Sequence, residues 1–310
     1  MSSLIEQAAK RLEQLRQAGV EIPQPVLSSA AAAAVAVPLP AAKPVEAPPA
    51  APVVTSRAVD LNLKHLATAG IVTPQAPRSQ IADQYRVIKR PLIRNAMAKG
   101  EDAIAHGNLI MVTSALAGEG KSFTSINLAM SIATELDLTV MLVDADVARP
   151  SVLRVLGLPP GPGLLDVLEQ RVDMASVLMK TNVDKLTILP SGTPHPRATE
   201  LLASDAMRQL LDDMATRYPD RIIIFDSPPL LLTTESRVLA SNMGQIVIVV
   251  HAGKTPHAAV QNALATIESC PHRMLLLNQA RASAEGGYGY GYGYGYGYGS
   301  DRPPQEASAA

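Results

Sequence analysis

One lysine, three aspartates and a row of phenols are the residues whose types and spacing could move a phosphoryl group. An apolar run from Leu109 to Thr113 leads into Ser114-Ala115-Leu116-Ala117-Gly118-Glu119-Gly120-Lys121-Ser122 and then into a helical pattern. Gly118 and Gly120 let backbone N–H groups converge on phosphate oxygens, and a helix starting near Lys121 adds the positive end of its dipole. In that setting Lys121 bridges the β- and γ-phosphates and Ser122 offers its hydroxyl to Mg²⁺, with Glu119 and Phe123 completing the nucleotide-contacting set. Two further apolar runs end in acid: Thr139 to Val143 in Asp144-Ala145-Asp146, and Arg221 to Phe225 in Asp226-Ser227-Pro228-Pro229. In a parallel sheet both ends open on the edge that carries the glycine loop, so three carboxylates converge on one metal and phosphate site. Asp226 suits holding Mg²⁺ through water. Asp144 and Asp146 then support the metal and accept a proton from an attacking hydroxyl.

The attacking hydroxyls are supplied at the far end of the chain. Of its 8 tyrosines, Tyr288, Tyr290, Tyr292, Tyr294, Tyr296 and Tyr298 alternate with glycine. A Gly/Tyr repeat can also self-associate without any enzymology, and a single acidic residue at a strand end often only solvates a loop. The coincidence of phosphate loop, three strand-end acids and phenols favours phosphoryl transfer. From Asn278 to Tyr288 the chain can span at most about 35 Å when extended, enough to reach a neighbouring copy.

The elements that must position these groups alternate. Strand-length apolar runs at Leu109 to Thr113, Thr139 to Val143, Lys185 to Leu189, Arg221 to Phe225, Gln245 to Val250 and Met274 to Leu277 are separated by helical patterns. Those patterns cover Lys121 to Glu135, Gly163 to Glu169, Thr199 to Arg217, Glu235 to Ser241 and Pro256 to Ser269. Near-continuous apolar strands between helices predict an α/β fold, a three-layer sandwich with a mainly parallel sheet and a P-loop NTPase architecture. Upstream, residues 1–22 hold a short amphipathic helix (Leu4, Ala8, Leu12, Leu15), and 23–57 form an Ala/Pro-rich linker. The folded domain is expected over 58–284, with a helix over 79–99 that Pro91 interrupts or bends, and a disordered Gly/Tyr-rich tail over 285–310. Lys+Arg of 27 against Asp+Glu of 28 leaves no basic field to recruit nucleic acid. A single cysteine, Cys270, allows no internal disulfide, and no apolar run approaches a membrane span.

Together the Gly118-Glu119-Gly120-Lys121-Ser122 loop, Asp144-x-Asp146 followed by Arg149-Pro150, Asp226-x-Pro228-Pro229 and the terminal tyrosines resemble the motifs of bacterial tyrosine autokinases, deviant-Walker P-loop proteins. The likeness covers about residues 79 to 300. Smaller echoes are Gly163-Leu164-Leu165-Asp166-Val167-Leu168 and Ser191-Gly192-Thr193 leading to Glu200-Leu201-Leu202. Ala115, Ala117 and Ala148 depart from the family pattern, with the positive charge moved to Arg149. Asp83-x-x-Arg86-x-x-Lys89 is similar to the family's oligomerisation helix, with Asp and Lys substituted. The Ala/Pro leader is similar to the branch associated with exosortase-type clusters.

The resemblance implies ATP as donor, Mg²⁺, an acceptor tyrosine in a neighbouring subunit's tail, and a role in exopolysaccharide polymerisation or export. It also implies a ring-forming homo-oligomer, a membrane-embedded polysaccharide chain-length regulator as activator, a cognate tyrosine phosphatase, and a cytoplasmic location at the inner membrane through that partner. Asn278 is placed like an adenine-contacting asparagine of related folds. Two rival readings are a partition-type ATPase switch without kinase activity, which lacks support because no extra lysine lies in Ser114 to Ala117, and a scaffold built on the Gly/Tyr tail.

Overall fold

The computed structural model describes residues 56–75 and 78–280, all within the unit Pro52–Ala310. The amphipathic segment, the Ala/Pro stretch up to residue 55 and the tyrosine repeat lie outside the described residues.

Eight strands form one sheet: β1 (Arg57–Val59), β2 (Leu109–Ser114), β3 (Thr139–Asp144), β4 (Met179–Thr181), β5 (Leu186–Leu189), β6 (Arg221–Asp226), β7 (Gln245–His251) and β8 (Arg273–Asn278). Their order is β1-β4-β5-β3-β6-β2-β7-β8. All pairings are parallel except β4 with β5. The strands read as apolar runs because both faces are covered: Leu109 and Met111 of β2 enter one buried cluster, Ile110 and Val112 the other. Helices therefore lie on both sides of the sheet, giving three layers. These are α1 (Leu63–Thr68), α2 (Gln80–Ala96), α3 (Lys121–Ala133), α4 (Val152–Leu156), α5 (Leu164–Leu168), α6 (Met174–Val177), α7 (Ala198–Leu202), α8 (Asp205–Arg217), α9 (Glu235–Ala240) and α10 (His257–Ala265).

Several expectations need correction. The helix expected over Thr199 to Arg217 is two helices, because Ser204 takes extended backbone and its Oγ accepts from Met207 N at 3.2 Å, capping a new start. Pro91 does not interrupt α2, which runs unbroken from Gln80 to Ala96. The bond that a proline cannot donate would have gone to the carbonyl of Val87, whose residue is 73 % exposed and open to water. Strands β1 and β4, three residues each, are too short to show a period.

Helix α2 is fastened to the sheet at Gln245 and to the end of α3 at Lys89. Gln245 donates from Nε2 to Leu92 O (3.1 Å) and Gly107 O (2.6 Å), and Asn95 Nδ2 donates to Gln245 Oε1 at 3.0 Å. Lys89, 2 % exposed, donates to Ser131 O (2.5 Å) and Thr134 Oγ1 (3.2 Å) and pairs with Glu135 at 2.7 Å. Burial holds its ammonium below the usual lysine range, with Glu135 opposing. Lys89 thus closes the carboxyl end of α3, where a cation complements the free carbonyls. Its charge is engaged inside the chain. Arg86 and Asp83 remain at the surface, paired with each other at 2.5 Å.

Candidate active site

The glycine loop closes between β2 and α3. Gly118 and Gly120 adopt φ of +81° and +95°, the left-handed region that side chains disfavour. A Cβ on Gly120 would also lie 2.1 Å from Asn278 Nδ2, so this position is closed to alanine on two counts. Asn278 ends β8 and donates from Nδ2 to Glu119 O at 2.9 Å, clamping the loop. Beside Phe123 and Asn278 a groove of about 520 Å³ opens between α2 and β8.

Glu119 belongs to the loop through its backbone. Its carboxylate is buried and committed to protein: Oε2 accepts from Leu116 N at 2.6 Å, and Oε1 accepts from the Thr255 hydroxyl. Thr255 Oγ1 in turn accepts from His251 N at 3.0 Å, tying the loop to the end of β7. Glu119 therefore sets the loop's shape, and only its backbone N–H can face a phosphate.

Strand order brings the acids to this loop. β6 lies between β2 and β3, with Asp226 opposite Val112 on one side and Asp144 on the other. The prolines after Asp226 fold back over β2, where Thr113 Oγ1 donates to Pro228 O at 2.8 Å and Leu230 N to Ser114 O at 2.8 Å. Asp144 Oδ2 accepts from Ser151 N and Val152 N, both at 3.0 Å, and Asp146 Oδ1 accepts from Arg149 N at 3.1 Å. Ser125 donates to Asp226 Oδ1 at 2.9 Å, and the hydroxyls of Ser151 and Ser122 meet at 2.6 Å.

The second oxygens of the two central acids, Asp144 Oδ1 and Asp226 Oδ2, are buried without a hydrogen-bond partner. Asp144 is pushed up to about 7, by burial first and then by the charge of Asp226. Burial pushes Asp226 up to about 6, against hydroxyl donation and the nearby Lys121 charge. Asp146 is raised by burial and opposed by Lys121. Two orphaned carboxylate oxygens on register partners of adjacent strands fit a divalent cation that satisfies both and removes the repulsion of the two charges. Among the described residues no three His, Cys, Asp or Glu side chains form a ready metal cage. Mg²⁺ suits such a site, since it takes one or two carboxylates and completes its shell with water and phosphate.

Ser125, Ser151 and Thr255 join the site without having been singled out by the sequence. Ser125 follows Lys121 by one helical turn on the buried face, a spacing that could have revealed it. Ser151 and Thr255 act across the fold and leave no local signal.

A glycine loop between strand and helix, facing strand-end aspartates of a parallel sheet, defines a nucleotide-handling P-loop protein of the α/β class. Comparison with known proteins narrows this. The AAA domain family matches over residues 107–279, more than half of the chain. The tyrosine-protein kinase YwqD of Bacillus subtilis (strain 168) is 30% identical over 220 residues, covering 70% of this chain and 89% of that protein. The tyrosine-protein kinase ptk of Acinetobacter johnsonii is 31% identical over 184 residues, which are 59% of this chain and 25% of that longer protein. The crystal structure of the VpsO kinase domain superposes with a TM-score of 0.54 at 26% identity, covering 64% of this chain and 96% of that one. The chain belongs to the AAA domain family and to the bacterial tyrosine-protein kinases. Among the described residues no helix is long and apolar enough to cross a membrane.

Proposed function

We propose that the chain transfers the γ-phosphoryl group of ATP to tyrosines of its own carboxyl-terminal repeat, on a neighbouring copy, and that this modification regulates exopolysaccharide polymerisation or export. The observation that carries the reading is the pair of orphaned oxygens on Asp144 and Asp226 beside the Gly118–Ser122 loop. Lys121 and the loop's N–H groups hold the β- and γ-phosphates, and the base end lies along Phe123 and Asn278. Asp144, Asp226 and the Ser122 hydroxyl would hold Mg²⁺, which when bound neutralises phosphate charge and aligns the γ-phosphoryl group.

The phenol oxygen forms a bond to the γ-phosphorus as the bond to the β,γ-bridging oxygen breaks and ADP leaves. Asp146, 9 % exposed and the most outward of the three acids, receives the phenolic proton and returns it to solvent. Of the 8 tyrosines, two lie outside the repeat, and neither suits the role. Tyr85 is 4 % exposed, and burial raises its pKa. Tyr218 sits under the Arg221 guanidinium, 4.1 Å from its ring centre, at the amino end of β6. That is a strand length, roughly 20 Å, from the acids.

Each added phosphate brings about −1.5 to −2 charges, so a multiply modified tail repels its copies and loosens any ring they form. A membrane-embedded chain-length regulator as activator, a cognate phosphatase, and a location at the inner face of the membrane through the activator complete the proposal. Peptide mapping by mass spectrometry after incubation with Mg-ATP and the activator fragment tests it. Phosphate is expected on Tyr288 to Tyr298 and absent from Tyr85 and Tyr218. An unmodified repeat would exclude the scheme.

A further inference from the structure

A second groove, about 460 Å³, begins one residue from the acidic loop. Pro150 forms part of its wall and stands between Arg149, whose N–H binds Asp146, and Ser151, whose N–H binds Asp144. Leu153, Leu158, Pro160 and Pro194 make the remainder mainly apolar, and no carboxylate lines it. Its one charged lining residue is Arg154, which is exposed and makes no ion pair with any described residue.

We propose that this groove holds the tyrosine next along the repeat from the one being phosphorylated, and that Arg154 prefers it already phosphorylated. The inference rests on the tail being the acceptor. Its occupant is the Tyr288 to Tyr298 segment of a neighbouring copy. In an extended chain residues two apart point the same way, about 6.6 Å from each other, so a phenol at Asp146 brings the next ring of a Gly/Tyr alternation to the loop's far side. There Pro150 opens onto the groove. Proline rings and leucines suit a flat apolar ring, and the intervening glycines let the two backbones approach closely.

Charge sets the order of transfer. A phosphotyrosine carries about −1.5 to −2 charges and strong acceptor oxygens, which an uncommitted guanidinium pairs with better than it does with a neutral phenol. The modified residue stays in the groove and presents its unmodified neighbour to Asp146. Phosphates therefore accumulate on adjacent tyrosines of one tail rather than scattering among tails.

The test measures binding without catalysis. A synthetic peptide spanning Gly286 to Ser300, with or without phosphate on Tyr292, is titrated into the full chain whose six tail tyrosines are changed to serine. The phosphopeptide is expected to bind about tenfold more tightly, and Arg154→Gln is expected to abolish the difference. In the chain with its native tail, Arg154→Gln lowers the share of tails with adjacent phosphotyrosines at matched total phosphate. Equal affinities of the two peptides would overturn the proposal. So would a preference that survives Arg154→Gln but is lost in Arg149→Gln. If the preference holds while Mg-ATP never modifies the tail, the acceptor reading fails instead and the groove assignment stands.

Discussion

Replacing Lys121 by methionine is expected to lower tyrosine phosphorylation by about 10²- to 10³-fold while leaving the fold intact. Lys121 lies at the first turn of α3, 9 % exposed, and its charge is felt by both Asp146 and Asp226. That placement aims it at the charge that spreads over the phosphoryl oxygens in transfer, where a fixed donor in a dry site has its largest effect. Methionine keeps the length and apolar stem of the side chain, so thermal unfolding should scarcely move. Transfer from radiolabelled ATP and a melting curve on the same sample separate the two effects. Retention of more than about a tenth of the native rate would show that the loop does not carry the transferred group.

Asp144→Asn and Asp226→Asn are expected to stabilise the nucleotide-free protein and to abolish transfer. In the folded chain Asp144 titrates near 7 and Asp226 near 6, against 3.8 for the ordinary carboxyl. The folded state thus holds protons that the unfolded state has released, and stability falls as pH rises. The loss begins near pH 4 and is complete near 6 for Asp226 and near 7 for Asp144. An amide removes the buried charge, so each variant should gain on the order of 1–3 kcal/mol at pH 8 and little at pH 4. Urea midpoints at the two pH values read this directly. Activity moves the opposite way, by at least about a hundredfold, because the amide no longer helps hold Mg²⁺. A variant less stable than the native protein at pH 8 would show that the pair is not a strained cation site. The opposition is what a functional site built at the expense of stability should give.

The parts legible in the sequence are those whose physics is local or periodic. A doubly covered strand must be apolar throughout, so β2, β3, β6 and β7 announce themselves, and the acids at the ends of β3 and β6 come with them. The glycine loop is legible because its φ requirements fall on Gly118 and Gly120 within a few residues. The supports of that loop are not. The bonds of the Glu119 carboxylate to Leu116 and to Thr255, 136 residues away, leave no local signal. Likeness assigns Asn278 to the base, yet its amide nitrogen reaches across 159 residues to hold the loop's backbone. Lys89 shows the same limit, since its spacing from Arg86 reads as a surface motif and only packing against α3 reveals that its charge is already used. Sequence spacing reports which face of a helix a residue occupies, and the fold decides whether that face meets solvent, a partner or the chain itself.

The most direct measurement mixes two versions of the full chain with Mg-ATP and the activator fragment. One carries Lys121→Met and an intact tail, the other a native loop and phenylalanine at the six tail positions. Phosphotyrosine is predicted at Tyr288 to Tyr298 of the Lys121→Met chain, accumulating in the mixture and in neither version by itself. ATP consumed by the mixture with that tail left unmodified would contradict transfer between copies.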